Sequence, residues 1–346
     1  MQTRRFSEYR RSLPRSGESL ISANESCSLL NRRRFLKVAS AISISGLVGC
    51  IYGCGSSDPI KIASHIWPGY EFLFLARDMG WLKPEDAVLV ETHNASESAE
   101  HLISGKVQAA ALTLDETLRV IQQGVPLFVV LIFDVSSGAD ALLVKSHIKS
   151  LSDLKGTRIG VETTAVGALM LNKMMAKANL LPTDFEVFHI NVDNHLTSWQ
   201  NNNLDALITY EPTASRIEKL GAVRLFDSHE VPNTIFDVLA VRQDAAEHYS
   251  LQLKALISSH FRAQWAWKTN PIDTAYRLAK RLDAPVADIQ MLFRELELPD
   301  LIYNHHLLGG TASELNTLCK EISVFSGIDP GLIPADLFKA AYLPKT

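Results

Sequence analysis

Seven carboxylates and two large aromatic side chains stand where strand-like segments of this sequence give way to turns and helices. They are Glu71, Asp115, Asp134, Asp140, Glu162, Glu211 and Asp237, with Trp67 and Tyr210. Hardly a Lys or Arg accompanies them in the same loops. A buried carboxylate without a cationic partner costs several kcal/mol, so such groups stay solvated, cap helices or meet positive charge. The chemistry they suit is capture. A cationic or nitrogen-rich neutral molecule, such as an amine or a pyrimidine, donates N–H groups to carboxylates while flat rings cover its face.

The neighbours of these residues sharpen the reading. Trp67 precedes Pro68-Gly69, a turn that can present a large flat ring as the wall of a pocket, against the alternative that the ring packs on its own lobe. Thr113 and Asp115 stand where a strand meets a helix and serve as N-caps, ligand contacts or both. Asp134, Ser136 and Asp140 follow the most apolar strand, and Ser136 is as much a turn residue as a contact. Glu162-Thr163-Thr164 precedes a helix whose free amides offer donors. Tyr210-Glu211 ends a strand before Pro212, which starts a helix naturally. Asp237 lies on an apolar strand that carries the chain back, as a contact or a hinge residue.

Motifs for catalysis are missing. The sequence has no GxSxG elbow, HExxH helix or Walker loop. His189 and His195 are isolated. Cys27, Cys50, Cys54 and Cys319 make neither a disulfide framework nor a metal-spaced pair of CxxC motifs. No catalytic residue, metal ligand or cofactor is expected.

The elements that position these residues alternate. Strand patterns fall at 60–65, 87–91, 109–112, 127–133, 157–161, 185–190, 204–210, 223–226 and 235–241, with helical patterns between most of them. From residue 245 the pattern is helical. Residues 128–133 are apolar throughout, as in a strand buried on both faces. Such alternation predicts mainly parallel α/β sheets. A polar stretch near residue 145 marks a change of lobe. The expected division is 58–142 plus 238–346 for the first lobe, with the helical C-terminal region, and 143–237 for the second. Ligands bind at the carboxyl ends of parallel strands, and two such edges facing each other make a cleft that closes by hinge motion.

The 346 residues carry a net charge of −4. The first 50 hold nine Lys and Arg against three Glu, so that segment is +6 and the remainder −10. A body so acidic argues against a nucleic-acid surface. Residues 1–57 read as an address and a tether: Arg32-Arg33-Arg34-Phe35-Leu36-Lys37, then an apolar run too short to span a membrane, then Leu47-Val48-Gly49-Cys50 and a small polar stretch. The first motif resembles a twin-arginine export signal, although Asn31 stands where that pattern prefers Ser or Thr. The second resembles a bacterial lipobox, which implies lipidation of Cys50; Ile51-Tyr52-Gly53-Cys54 is a poorer second match.

The body resembles ABC-transporter substrate-binding proteins of the nitrate, sulfonate and taurine type, a group that also holds thiamine-pyrimidine binders. The resemblance runs from about residue 60 to 245 through Trp67-Pro68-Gly69-Tyr70, Leu75–Gly80, Ala110–Asp115, Asp134–Ala141, Leu154-Lys155-Gly156 with Gly160-Val161-Glu162, Asp205–Pro212 and Phe226-Asp227-Ser228. It implies a two-lobed periplasmic-binding-protein fold of type II, each lobe a mainly parallel sheet flanked by helices. It also implies a small-molecule ligand, permease and ATPase partners, and an exported protein held at the membrane by a lipid. Two alternatives stay open: a sensory binding module, and a pyrimidine-forming enzyme on the same fold. The second would need a cysteine-rich motif that the body lacks.

Overall fold

The structure is a computed structural model that describes residues 58–309 and 313–345. The twin-arginine and lipobox motifs, and Cys50 with them, lie outside the described residues.

In chain order the strands are β1 (Ile60–Ser64), β2 (Ala87–Glu91), β3 (Ala109–Thr113), β4 (Leu127–Ser136), β5 (Asp140–Val144), β6 (Arg158–Val161), β7 (Glu186–His189), β8 (Ala206–Tyr210), β9 (Val223–Asp227), β10 (Phe236–Arg242) and β11 (Leu296–Glu297). The helices are α1 (Glu71–Asp78), α2 (Ala95–Ile103), α3 (Leu114–Gln122), α4 (Val166–Ala178), α5 (His195–Gln200), α6 (Thr213–Glu218), α7 (Gln243–Ala246), α8 (Ser250–Thr269), α9 (Pro271–Leu282), α10 (Val286–Arg294), α11 (Leu301–Gly309) and α12 (Ser313–Ser326).

Two sheets result, in the orders β11-β4-β10-β3-β1-β2 and β7-β6-β8-β5-β9. In the first, β1 runs parallel to β2 and β3, while β10 runs against both β3 and β4. In the second, β6 runs parallel to β7 and β8, while β5 runs against both β8 and β9. The reversed strands mark where the chain changes sheets. It leaves the first sheet after Ser136 and enters the second as β5; it leaves after Asp227 and returns as β10. Asp140, Ala141 and Leu142, expected with the first lobe, pair with Tyr210, Thr209 and Ile208 of the second sheet. This is the two-lobed type II binding-protein fold that the alternation of elements and the family resemblance predict.

Local sequence accounts for the elements that frame the cleft. In β4 every residue but Phe128 is buried, as an apolar strand covered on both faces requires. Helix α3 starts at a capping box: the Thr113 hydroxyl accepts from the Glu116 N–H, and the Glu116 carboxylate accepts from the Thr113 N–H. Helix α9 begins with Pro271 and buries Thr274, Ala275, Leu278 and Leu282, a one-sided stripe at helical spacing. Helix α4 ends at Asn179, which takes the left-handed conformation that stops a helix (φ 52°).

The described residues form one compact unit. Hydrogen bonds tie its two lobes together. Ser96 at the start of α2 bonds Glu162 at 2.7 Å and Thr164 at 2.7 Å. The Asn94 amide donates to Asp193 at 3.1 Å. Arg216 of α6 donates to the carbonyls of Leu282 and Asp283 at 2.8 Å each. The two lobes are thus in direct contact across the cleft. Among the described residues no helix is long and apolar enough to cross a membrane.

Candidate binding site between the two sheets

The carboxyl ends of β1, β3, β6 and β8 converge on the gap between the lobes. There His65, Trp67, Tyr70, Thr113, Glu116, Asp140, Val166, Tyr210 and Asp237 line a nearly filled cavity with about 10 Å³ of free volume. None of these nine is Lys or Arg. That is room for about one water molecule, far below the roughly 300–1,000 Å³ of ligand pockets, so the lining side chains or the lobes must move apart to admit a ligand.

Strand register builds the acidic side. Asp237 of β10 pairs with Thr113 of β3 on one flank and with Asp134 of β4 on the other. Three polar side chains therefore meet at one sheet end, although the sequence keeps them far apart. Trp67 Nε1 donates to Asp134 at 3.1 and 3.3 Å, and the Tyr70 hydroxyl donates to Asp237. Gly69 makes room for this. A Cβ there would fall 1.7 Å from an Asp134 oxygen.

Several buried polar atoms around the cavity have no partner within the protein: Asp237 Oδ2, Asp140 Oδ2, Tyr210 Oη and His65 Nδ1, with Glu162 Oε2 nearby. Buried polar groups are normally satisfied, so open atoms facing one cavity point to something that binds there. Three of the five are carboxyl oxygens, which accept from donors once ionised.

Burial raises every acid here. It pushes Asp140 up to about 7, against the pull of its bond to Ser136. It takes Asp134 to about 8, eased by its bonds to Trp67 and Asp237. Burial and then the neighbouring Asp115 bring Glu116 to about 8. Burial and then Asp134 hold Asp237 well above the carboxylate range. His65 moves the other way, down to about 3, through burial and the Arg281 charge, and is neutral. Near neutral pH the cavity keeps protons on its carboxyl groups when nothing positive is present. An arriving cation or N–H donor favours their ionisation.

Helix N-termini, the other sites for charge at such sheet edges, are already taken. Asn94 caps α2 through the Glu97 N–H. Thr113 caps α3. The Val166 N–H at the start of α4 donates to Glu116 at 3.1 Å. Glu211 accepts from the Ser215 N–H at 3.0 Å in the first turn of α6. An anionic ligand would have to displace one of these groups.

The structure sorts the twelve residues expected at a site from sequence. Trp67, Thr113, Asp140, Tyr210 and Asp237 line the cavity, and Asp134 stands directly behind Trp67 and beside Asp237. Pro68 and Gly69 are buried in the turn that carries Trp67. The others have structural partners. Asp115 accepts from the Thr113 hydroxyl at 2.8 Å and pairs with Arg119 at 3.4 Å. Ser136 bonds Ser228 at 2.8 Å and accepts from the Asp140 N–H at 3.3 Å, bracing the crossing between sheets. Glu162 joins the lobes through Ser96. Glu211 pairs with Arg224 at 3.0 Å. Glu71, the remaining acid of the seven, pairs with Arg281.

His65, Tyr70, Glu116 and Val166 were not anticipated. Only Glu116 had a signal, the Thr-x-x-Glu spacing of a capping box. The rings also differ from a sandwich that would stack on both faces of a ligand. Trp67 and Tyr210 meet edge to face, with centroids 5.7 Å apart and planes at 80°. Among the described residues no group of three or more His, Cys, Asp or Glu could hold a metal ion.

Comparison with known proteins agrees with this architecture. The sequence model of the NMT1/THI5-like family matches residues 67–271, more than half of the chain. The taurine-binding periplasmic protein of Escherichia coli (strain K12) is 28% identical over 202 residues, covering 56% of this chain and 63% of its own length. The chain thus matches under two thirds of that relative. The alkanesulfonate-binding protein SsuA of Xanthomonas axonopodis pv. citri, bound to MOPS, superimposes with a TM-score of 0.63 at 16% identity, over 84% of this chain and 100% of that one. The nitrate-binding protein NrtA of Synechocystis PCC 6803 gives a TM-score of 0.58 at 12% identity, over 81% of this chain and 92% of that one. At such identities the structural likeness is one of fold.

Proposed function

The chain belongs to the NMT1/THI5-like family, and from that premise we propose that it is the extracytoplasmic solute-binding component of an ABC-type importer. It closes on a small cationic or N–H-rich neutral ligand, such as an amine or a pyrimidine, and delivers it to a membrane permease driven by an ATPase. It binds and does not catalyse. One observation carries the ligand class: a closed cavity with three acids on its wall, Glu116, Asp140 and Asp237, and no Lys or Arg among its lining residues. Taurine and sulfonates, the ligands in the names of similar proteins, present an anionic group for which this cavity has no cation. Asp140 and Asp237 accept the ligand's N–H groups, Trp67 or Tyr210 covers one face, and Tyr210 Oη offers a donor or acceptor. Asp134 reaches the ligand only through Trp67 and Asp237. The proposed lobes are the two sheets with their helices, hinged at the crossings after Ser136 and Asp227.

Export through the twin-arginine motif and anchoring through Cys50 complete the proposal. Mass spectrometry of the mature protein from its native host should find an N-terminal lipidated Cys50. An unmodified Cys50 refutes the anchor. The ligand class is tested by calorimetry and thermal shift against aliphatic amines, aromatic amines, pyrimidines, nitrate, taurine and alkanesulfonates. A ligand at 100 times its Kd should stabilise the protein by about 2.7 kcal/mol. Tight binding of nitrate or an alkanesulfonate with no response to any amine or pyrimidine refutes the charge argument and leaves the importer assignment standing.

A further inference from the structure

Glu116 stands out among the cavity residues because it bonds to both lobes. It lies in the first turn of α3, where one carboxylate oxygen accepts from the Thr113 N–H at 2.9 Å. The other oxygen crosses the cleft and accepts from the Val166 N–H at 3.1 Å. Val166 is the first residue of α4, a helix of 13 residues in the other lobe. Glu116 is 3% exposed.

The start of α4 is built to receive something. A helix N-terminus is normally capped by the side chain of the residue before it. Here that residue is Ala165, which makes no side-chain cap. The hydroxyls just upstream are engaged elsewhere, Thr163 with His189 at 2.9 Å and Thr164 with Ser96 at 2.7 Å. Gly167 follows, where a Cβ would fall 2.8 Å from the Glu162 carbonyl oxygen. Small residues and free amides at the start of a long helix form an anion receptor. In this chain the receptor is filled from within.

We infer that Glu116 is a tethered occupant of the α4 N-terminus, taking the place in which a ligand's own acidic group would dock, and so determines that this protein refuses anions and latches its lobes. The inference rests on the binding reading above and deepens it. A ligand that shares the cleft with Glu116 need not bring an anion to draw α4 toward the first lobe. It need only satisfy Asp140 and Asp237, two cavity-lining residues that each keep one buried oxygen without a protein partner. An acidic ligand finds α4 occupied and acids on the remaining wall.

The test uses the whole chain, its Glu116→Ala, Glu116→Gln and Val166→Pro variants, methanesulfonate as the anionic probe, and the amine and pyrimidine panel as a control. Proline is tolerated at the first position of a helix, so Val166→Pro removes the donor and spares α4. At pH 6 the wild type should ignore methanesulfonate, and Glu116→Ala should bind it at least tenfold more tightly. Glu116→Gln keeps the bulk and should still refuse it. By small-angle scattering, ligand-free Glu116→Ala and Val166→Pro should both show a larger radius of gyration than the wild type. If Glu116→Ala does not fold, the Val166→Pro scattering decides, and an unchanged radius overturns the latch. A wild type that binds the amine panel, with variants that gain no sulfonate affinity and stay closed, refutes this inference alone. A wild type that binds methanesulfonate and no nitrogenous compound refutes it together with the proposed ligand class.

Discussion

A cluster of buried acids makes the ligand-free protein lose stability as pH rises through neutrality. Asp140 ionises near 3.8 in an unfolded chain and near 7 in the fold. Asp134, ordinarily near 3.8, and Glu116, ordinarily near 4.5, are both raised to about 8. A raised folded value means that the native state holds protons the unfolded chain has released, so unfolding free energy falls with pH until the folded value is passed. Between pH 6.5 and 8.5 the linkage relation gives a loss of about 0.8 kcal/mol from Asp140 and up to about 2 kcal/mol from each acid near 8. With water entering as the acids ionise, a total on the order of 3 kcal/mol is expected, or roughly 4–5 °C in Tm at about 2.1 cal/mol/K per residue. The buried histidines work in the opposite sense and offset part of this loss. His65 and His260 are lowered to about 3 and His195 to about 4, so each adds stability until the unfolded imidazole, near 6.5, has lost its proton; above pH 6.5 that is roughly 0.4 kcal/mol each, and the total above is net of it. Cys319, raised to about 12, loses its contribution only as the unfolded thiol ionises, near 9 and above. The assay is urea or thermal unfolding of ligand-free protein at fixed ionic strength, with Asp140→Asn alongside. The wild type should lose Tm steadily from pH 6.5 to 8.5, and the variant should lose less. A Tm that is flat or rising across this range refutes the account of a protonated, cation-seeking cavity.

Two substitutions probe how the site is held. Gly69→Ala places a methyl group 1.7 Å from an Asp134 oxygen and 3.1 Å from Trp67 Nε1 in a buried turn, so both must move. It should cost about 1–3 kcal/mol by overpacking and shift tryptophan emission; unchanged emission and stability would show that Asp134 does not sit against this turn. Arg224→Met leaves Glu211, 1% exposed, without the guanidinium that pairs with it at 3.0 Å. Denaturant unfolding should show a loss of about 3 kcal/mol or more, the usual cost of breaking one partner from a buried pair.

Much of the fold was legible because periodicity is a local signal. The apolar run at 128–133 named β4, and the helix at 166–178 matches α4 residue for residue. Strand β5 was not legible. Asp140 at its start reads as loop chemistry, and Ala141–Val144 is too short an apolar run to separate from a turn and its flank. The sequence therefore placed the change of lobe late. The site divided along the same line. Asp140, Tyr210 and Asp237 stood out as polar residues at strand ends, whereas His65 and Tyr70 carry no pattern that distinguishes a cavity wall from a packed core. Thr113, Asp134 and Asp237 become neighbours only through the register of three strands distant in sequence.

That register also explains why the acids tolerate their position. Asp134 and Asp237 lie near the ends of the two first-sheet strands that meet the crossings, and Asp140 begins the second-sheet strand just beyond one of them. In the proposed hinge motion the residues beside the crossings move least, so Asp134 and Asp237 keep their bonds to Trp67 and Tyr70 while the cleft in front of them opens to water. A cation that enters removes the penalty that would otherwise favour opening, and differential interaction with the two states is the condition for a ligand to shift their balance. On this reasoning the site's selectivity for positive charge and its closure are one free-energy difference, set by Asp134, Asp140 and Asp237, with Glu116 holding the lobes in register while the ligand settles.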